Sequence, residues 1–197
     1  MVINIKAKYN YDRDIYIDGG KEMAKIRKML GNINDKSIVE LMRAIEKQSN
    51  ETIVSWVVNY VENNILSIYE KECNNNLRLR KVILTIKAYI NGDIKLKEAK
   101  EVLKEARGIP KEVEENPVAQ AAARAILTAC GTIQTPTNAL GFTFYAVAAI
   151  VYNKVGIKEK PEFYDNLASE EFVKVLDSLQ SVAVENEENP VKIKWNC

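Results

Sequence analysis

From Ala125 to Asn153 the chain carries no formal charge. So long an uncharged stretch has to be hidden from water, in a bilayer or in a protein core. Gly131, Thr132, Gln134, Thr135, Pro136, Thr137 and Asn138 interrupt it, and the apolar run after them is about 14 residues. That is short of the ~18 to 20 residues a spanning helix needs. A buried hairpin of two helices is expected instead, and the rest of the chain must supply its cover.

The cover is legible as amphipathic helix. Ile53, Trp56, Val57, Tyr60, Val61 and Ile68 recur at spacings of three and four, predicting a helix over 51–71 with Asn50 as its cap. Ile38, Leu41, Met42 and Ile45 predict an earlier helix. Leu79, Ile83, Ile86 and Ile90 predict a later one that stops at Asn91-Gly92. A helix capped by Asp93 should run with Leu96, Ala99, Leu103 and Ala106 inward until Gly108-Ile109-Pro110. Pro117 suits the first turn of a helix reaching Cys130, whose many alanines let neighbouring backbones come close. After a turn at 135–138, a helix over 139–153 is apolar almost all round. A final one, capped by Ser169, reaches about Val184, and a short one is expected over 21–30.

The ends follow another period. Ile3, Ile5, Ala7, Tyr9 and Tyr11 alternate with polar residues, as do Val191, Ile193 and Trp195. Isolated strands are unstable, so the expectation is a small β-ribbon pairing about 2–11 with 190–196, with Ile15 to Ile17 as a third strand. The competing reading is an edge offered to a partner. The predicted fold is a mainly α, single-domain multi-helix bundle over 1–197, with core helices at about 50–154.

Composition narrows the chemistry. The chain has no histidine, which removes Ser-His-Asp and Cys-His nucleophilic sites and the usual near-neutral general base. Cys73, Cys130 and Cys197 are far apart and are read as free thiols rather than disulfides or metal ligands. With eight glycines and no Gly-x-Gly-x-x-Gly or Gly-x-x-x-x-Gly-Lys pattern, no phosphate-cradling loop is expected. No cofactor, metal or catalytic residue is assigned. Asp165, Glu170, Glu171 and Asp177 read as a solvated polar face rather than an acid/base pair.

The net charge of +1, from 28 basic and 27 acidic residues, gives no global field toward nucleic acid or an anionic membrane. The basic run at 74–81 lacks the interleaved aromatics of a nucleic-acid site. The opening Met-Val-Ile-Asn-Ile-Lys is unlike a signal peptide, so a cytoplasmic location is expected. Two acidic stretches, Lys111 to Asn116 with Glu112, Glu114 and Glu115, and Glu185 to Asn189, read as solvated linkers. The sharper alternative is an acidic face for a basic protein.

Residues 77–156 resemble the Imm-5 family of immunity proteins from bacterial polymorphic toxin systems. The resemblance is carried by Leu77-Arg78-Leu79-Arg80-Lys81-Val82-Ile83, Tyr89-Ile90-Asn91-Gly92-Asp93-Ile94 and Ala121-Ala122-Ala123-Arg124-Ala125. Thr135-Pro136-Thr137-Asn138-Ala139-Leu140-Gly141, followed by Tyr145-Ala146, completes it. Where relatives carry histidine this chain has Gln134 and Asn138, with Arg107 as a third such position. A neutral amide keeps a hydrogen bond but cannot replace a general base.

The resemblance implies a protein that binds and neutralises a co-encoded toxin. Arg78, Arg80, Arg107, Arg124, Gln134 and Asn138 are its candidate binding positions, beside Glu112, Glu114 and Glu115. For Arg78, Arg80 and Arg124 the plainer reading is an inter-helix hydrogen bond. The alternative function is a small-molecule or regulatory protein with a pocket between the 117–130 and 139–153 helices, its polar groups supplied by Gln134, Asn138 and Thr143. Oligomeric state is open.

Overall fold

The computed structural model describes residues 15–18, 21–24 and 26–195. Helices dominate: α1 (Lys36–Glu46), α2 (Asn50–Asn64), α3 (Leu66–Glu72), α4 (Arg78–Ile90), α5 (Leu96–Ala106), α6 (Ile109–Glu112), α7 (Pro117–Cys130), α8 (Asn138–Val155) and α9 (Pro161–Gln180). A single 3-10 turn, Gly131–Ile133, links α7 to α8. The uncharged stretch is the buried hairpin its composition demands, with α7 packed along α8 as the most extensive pairing in the fold. α2, α3, α4 and α6 lie against α7, while α1 and α9 pack together and against α8, so the hairpin is covered on both sides. No described helix is long and apolar enough to cross a membrane.

Alanine explains why α7 sits centrally. Ala119, Ala122, Ala123, Ala125 and Ala129 are fully buried, and their small size brings α8 close enough for Gly141 to face the Thr128 methyl. Larger side chains fill the second layer. Phe142 meets Trp56 and Tyr60 edge-on at centroid distances of 5.5 and 5.8 Å, and Phe144 meets Phe172 at 5.3 Å.

Several boundaries differ from the sequence reading. Ser49, not Asn50, caps α2, its hydroxyl accepting from the Thr52 N–H at 3.2 Å. The expected 51–71 helix breaks at Ile65 into α2 and α3. α5 starts at Leu96 rather than Asp93, where the Glu98 carboxylate accepts from the Lys95 N–H. α9 begins at Pro161, eight residues before the expected cap. Ser169 sits inside it, donating its hydroxyl to the Asp165 carbonyl.

The described residues of 21–30 form no helix. Lys21–Ala24 pairs antiparallel with Ile15–Asp18, Ile15 opposite Ala24, and the chain then runs irregularly from Ile26 to α1. Tertiary bonds take the backbone groups a helix would use: Leu30 N–H donates to the Phe144 carbonyl, and the Tyr152 hydroxyl to the Arg27 carbonyl. The terminal β-ribbon is not supported. Its N-terminal member, 2–11, lies outside the described residues, and residues 191–195 belong to no strand.

The C-terminal segment is held by helices instead. Gln48, between α1 and α2 and 4 % exposed, donates its amide to the Val184 carbonyl and accepts the Val184 N–H at 2.7 Å. Its own carbonyl accepts the Val191 N–H. Val191, Ile193 and Trp195 turn toward the core while Lys192 and Lys194 face water. The period-two pattern thus marks a one-sided extended segment with no ladder partner among the described residues.

Candidate functional site

The candidate residues are placed in three separate regions. The first is a polar seam where α3, α4, α6 and the start of α7 converge. Arg78, in the first turn of α4, forms a two-pronged ion pair with Glu112 of α6. Arg80 does the same with Glu70 of α3 at 2.8 and 2.7 Å. Asn116 caps α7, accepting from the Val118 and Ala119 N–H groups, while its amide donates to Glu72 of α3. Each bond joins two helices through chemistry that lysine or a hydrocarbon could not supply.

Charge in this seam is internally matched. The neighbouring Arg78 guanidinium holds the Glu112 carboxyl below its ordinary range, and Glu112 in turn raises Arg78. Beneath them the buried Tyr69 hydroxyl sits against Cys73 and Arg78. Burial, with the nearby Cys73, pushes the phenol up to about 12, and burial also raises the Cys73 thiol. Neither group is activated as a nucleophile. Glu114, Glu115 and Arg107 are near in sequence but exposed and outside the ion pairs. Part of the expected acidic loop is helical, since Glu112 belongs to α6.

The second region is the α7–α8 turn. α7 has 14 residues, so this turn lies roughly 20 Å along the helix from the seam. Gln134 is exposed. Asn138 opens α8 with its amide packed close over Gly131, where an added Cβ would lie 2.9 Å from it. Thr143 is buried and donates to the Leu140 carbonyl, so its hydroxyl is spent within α8. Burial pushes the Cys130 thiol up to about 12. In the third region, midway along α7, the Arg124 guanidinium lies 5.9 Å from the centroid of the Tyr145 ring of α8.

Two surface grooves of 440 and 480 Å³ lie on α5 and between α2 and the end of α9, and neither is lined by α7 or α8. The larger carries Trp56, whose indole N–H donates to the Ser178 hydroxyl at 2.9 Å, with Asn59, Asn63 and Tyr60 alongside. No group of three or more His, Cys, Asp or Glu side chains among the described residues is arranged to hold a metal ion.

Two features gave no usable signal in the sequence. Gln48 resembles any polar residue at a helix end, and its burial depends on a segment over a hundred residues away. Glu171 reads as solvated, yet it is 6 % exposed, with its carboxylate held by Lys174 at 2.6 Å.

Residues 43–172 match a family model described as Imm-5 like putative immunity protein. That span runs from within α1 to the middle of α9 and includes the whole central hairpin. No curated protein and no solved structure matches the chain.

Proposed function

This chain belongs to the Imm-5 like family of immunity proteins, and from that premise we propose that it binds and neutralises a toxin encoded beside it, in the cytoplasm of the producing cell. The observation that carries the proposal is the family match across the helical core. The site geometry agrees with it: Arg78, Arg80 and Asn116 are spent joining helices, and Tyr69, Cys73 and Cys130 are shifted away from reactivity. The chain's chemistry is directed at holding a rigid shape. A rigid body neutralises a partner by covering it, which needs a surface rather than a reaction centre.

In this reading Arg78, Arg80 and Arg124 are scaffold, while exposed groups such as Arg107, Glu114, Glu115 and Gln134 are free to meet a partner. The test is coexpression with the toxin gene adjacent to this one in its own genome. Rescue of growth, together with a stable complex of the two purified proteins, is the expected result. Cells that die despite soluble protein, with no complex by size-exclusion chromatography, would sink the proposal.

A further inference from the structure

The outward face of α9 combines exposed apolar side chains with unpaired carboxylates. Phe163, Asn166, Glu170, Val173 and Asp177 recur at spacings of three and four and are all exposed, so they form one stripe along the helix. Phe163 and Val173 are 44 % and 49 % exposed, and just past the helix Val182 and Val184 are 50 % and 49 % exposed. Among the described residues these are four of the six large apolar side chains left in solvent; the other two, Leu77 and Leu84, belong to the α4 region.

Exposed acidic side chains share the helix, Glu170 and Asp177 on the stripe itself and Glu162 beside Phe163, and Glu185 and Glu188 are exposed in the segment that follows. None forms an ion pair among the described residues, whereas Asp165 is spent on Arg27 and Glu171 on Lys174. The helix is about 30 Å long. That is the span of a footprint of about 800 Å² per partner, the size of an ordinary specific interface.

Resting on the toxin reading above, we infer that this α9 face forms the surface that docks the toxin, and that the toxin presents a basic patch there. Apolar side chains held at fixed spacing on a helix supply the anchors that slow dissociation. Unpaired carboxylates around them accelerate encounter with a cationic surface and fix its orientation. The α4–α5 surface offers a different chemistry. There Lys81 on α4, Lys97, Lys100 and Lys104 on α5 and Arg107 just past it are exposed and form no ion pair among the described residues, interleaved with the exposed Glu98, Glu101 and Glu105 in a mixed surface with a basic excess.

The experiment measures association and dissociation of the full-length protein with the purified toxin encoded by the adjacent gene. Glu170→Lys with Asp177→Lys should slow association about tenfold at low salt, and less at high salt. Phe163→Ala with Val173→Ala should speed dissociation about tenfold or more with little change in association. All four side chains are exposed, so thermal melts should stay near wild type, and Glu170→Gln serves as a milder second variant. Lys81→Glu with Leu84→Ala on α4 should bind as wild type does.

If the α9 variants bind normally while wild type forms a tight complex, the inference fails and the toxin reading stands. If the α4 pair is the one that loses binding, the docking face is the basic one. If wild type does not bind, both fall together.

Discussion

Gly31 offers a quantitative test of how the irregular segment before α1 is locked onto the core. Its φ is +114°, and a Cβ built there would lie 2.3 Å from Phe172 Cε2, 2.8 Å from Cζ and 3.2 Å from Phe144 Cδ1. Both rings are packed, Phe172 completely. Gly92, closing α4, provides the control: its φ is +81°, but nothing lies within 4 Å of the added methyl. Each alanine substitution suffers the penalty for an L-residue at positive φ, about 1–2 kcal/mol. Only Gly31→Ala must also displace a buried ring, which costs about 1–3 kcal/mol more.

Gly92→Ala should therefore lower stability by about 1–2 kcal/mol and Gly31→Ala by about 2–5. In a protein of this size, that separates their melting temperatures by several degrees. Urea unfolding followed by tryptophan fluorescence gives both values. Phe172→Leu removes the two atoms that clash, so Gly31→Ala should cost at least about 1 kcal/mol less in that background. Equal costs at the two glycines, or strict additivity of Gly31→Ala with Phe172→Leu, would show that the ring does not confine Gly31 as described.

Burial raises Cys130 from 9.0 to about 12 and lifts the Tyr60 and Tyr152 phenols well above 10.0. These groups stay protonated in the folded chain where the unfolded chain releases them, so the Cys130 contribution is intact below about pH 9 and the two tyrosine contributions below about pH 10, each being lost as the pH rises above that value. Each contributes a fall of about 1.4 kcal/mol per pH unit. Urea midpoints between pH 8 and 11 should show this, with a shallower fall from pH 9 to 10 in Cys130→Ala; an unchanged slope in the variant would contradict the assignment. At Asn116, Ala loses the helix cap and should cost about 1–2 kcal/mol. Asp keeps the cap but sets a second carboxylate against Glu72, so thermal melts that place Asp level with wild type would argue against the Asn116–Glu72 bond. Gln48→Ala should abolish hydrogen-exchange protection at Val184 and cost about 1–2 kcal/mol. Persisting protection would mean that another contact holds the tail.

The parts of the fold that the sequence makes legible are those governed by local periodicity. The charge-free hairpin, the alanine-lined α7 and the apolar faces of α1, α2, α4 and α5 all follow from which side chains must leave water. What local pattern could not specify is where non-local partners take over. Lys21 to Leu30 has the composition of a helix, yet Phe144 and Tyr152 claim backbone groups at Leu30 and Arg27. Val191, Ile193 and Trp195 alternate correctly with Lys192 and Lys194, but alternation reports only that one side of an extended chain is buried. It does not say whether a strand or a pair of helices does the burying.

The site follows the same division. The sequence singles out Arg78 and Glu112 independently, one from a family-like block and one from an acidic stretch, and only the fold makes them a pair. That pairing changes their meaning, because an arginine already held by a carboxylate within the chain gives up that bond to engage a partner, at the small cost of a half-exposed ion pair. Unpaired charge beside exposed apolar surface carries no such cost; on α9 that charge is acidic, whereas on α4 Lys81 accompanies Leu77 and Leu84. Glu170 and Asp177 look unremarkable in the sequence because a polar helix face is what solvent also selects. What distinguishes them is the company of Phe163 and Val173, which solvent does not select.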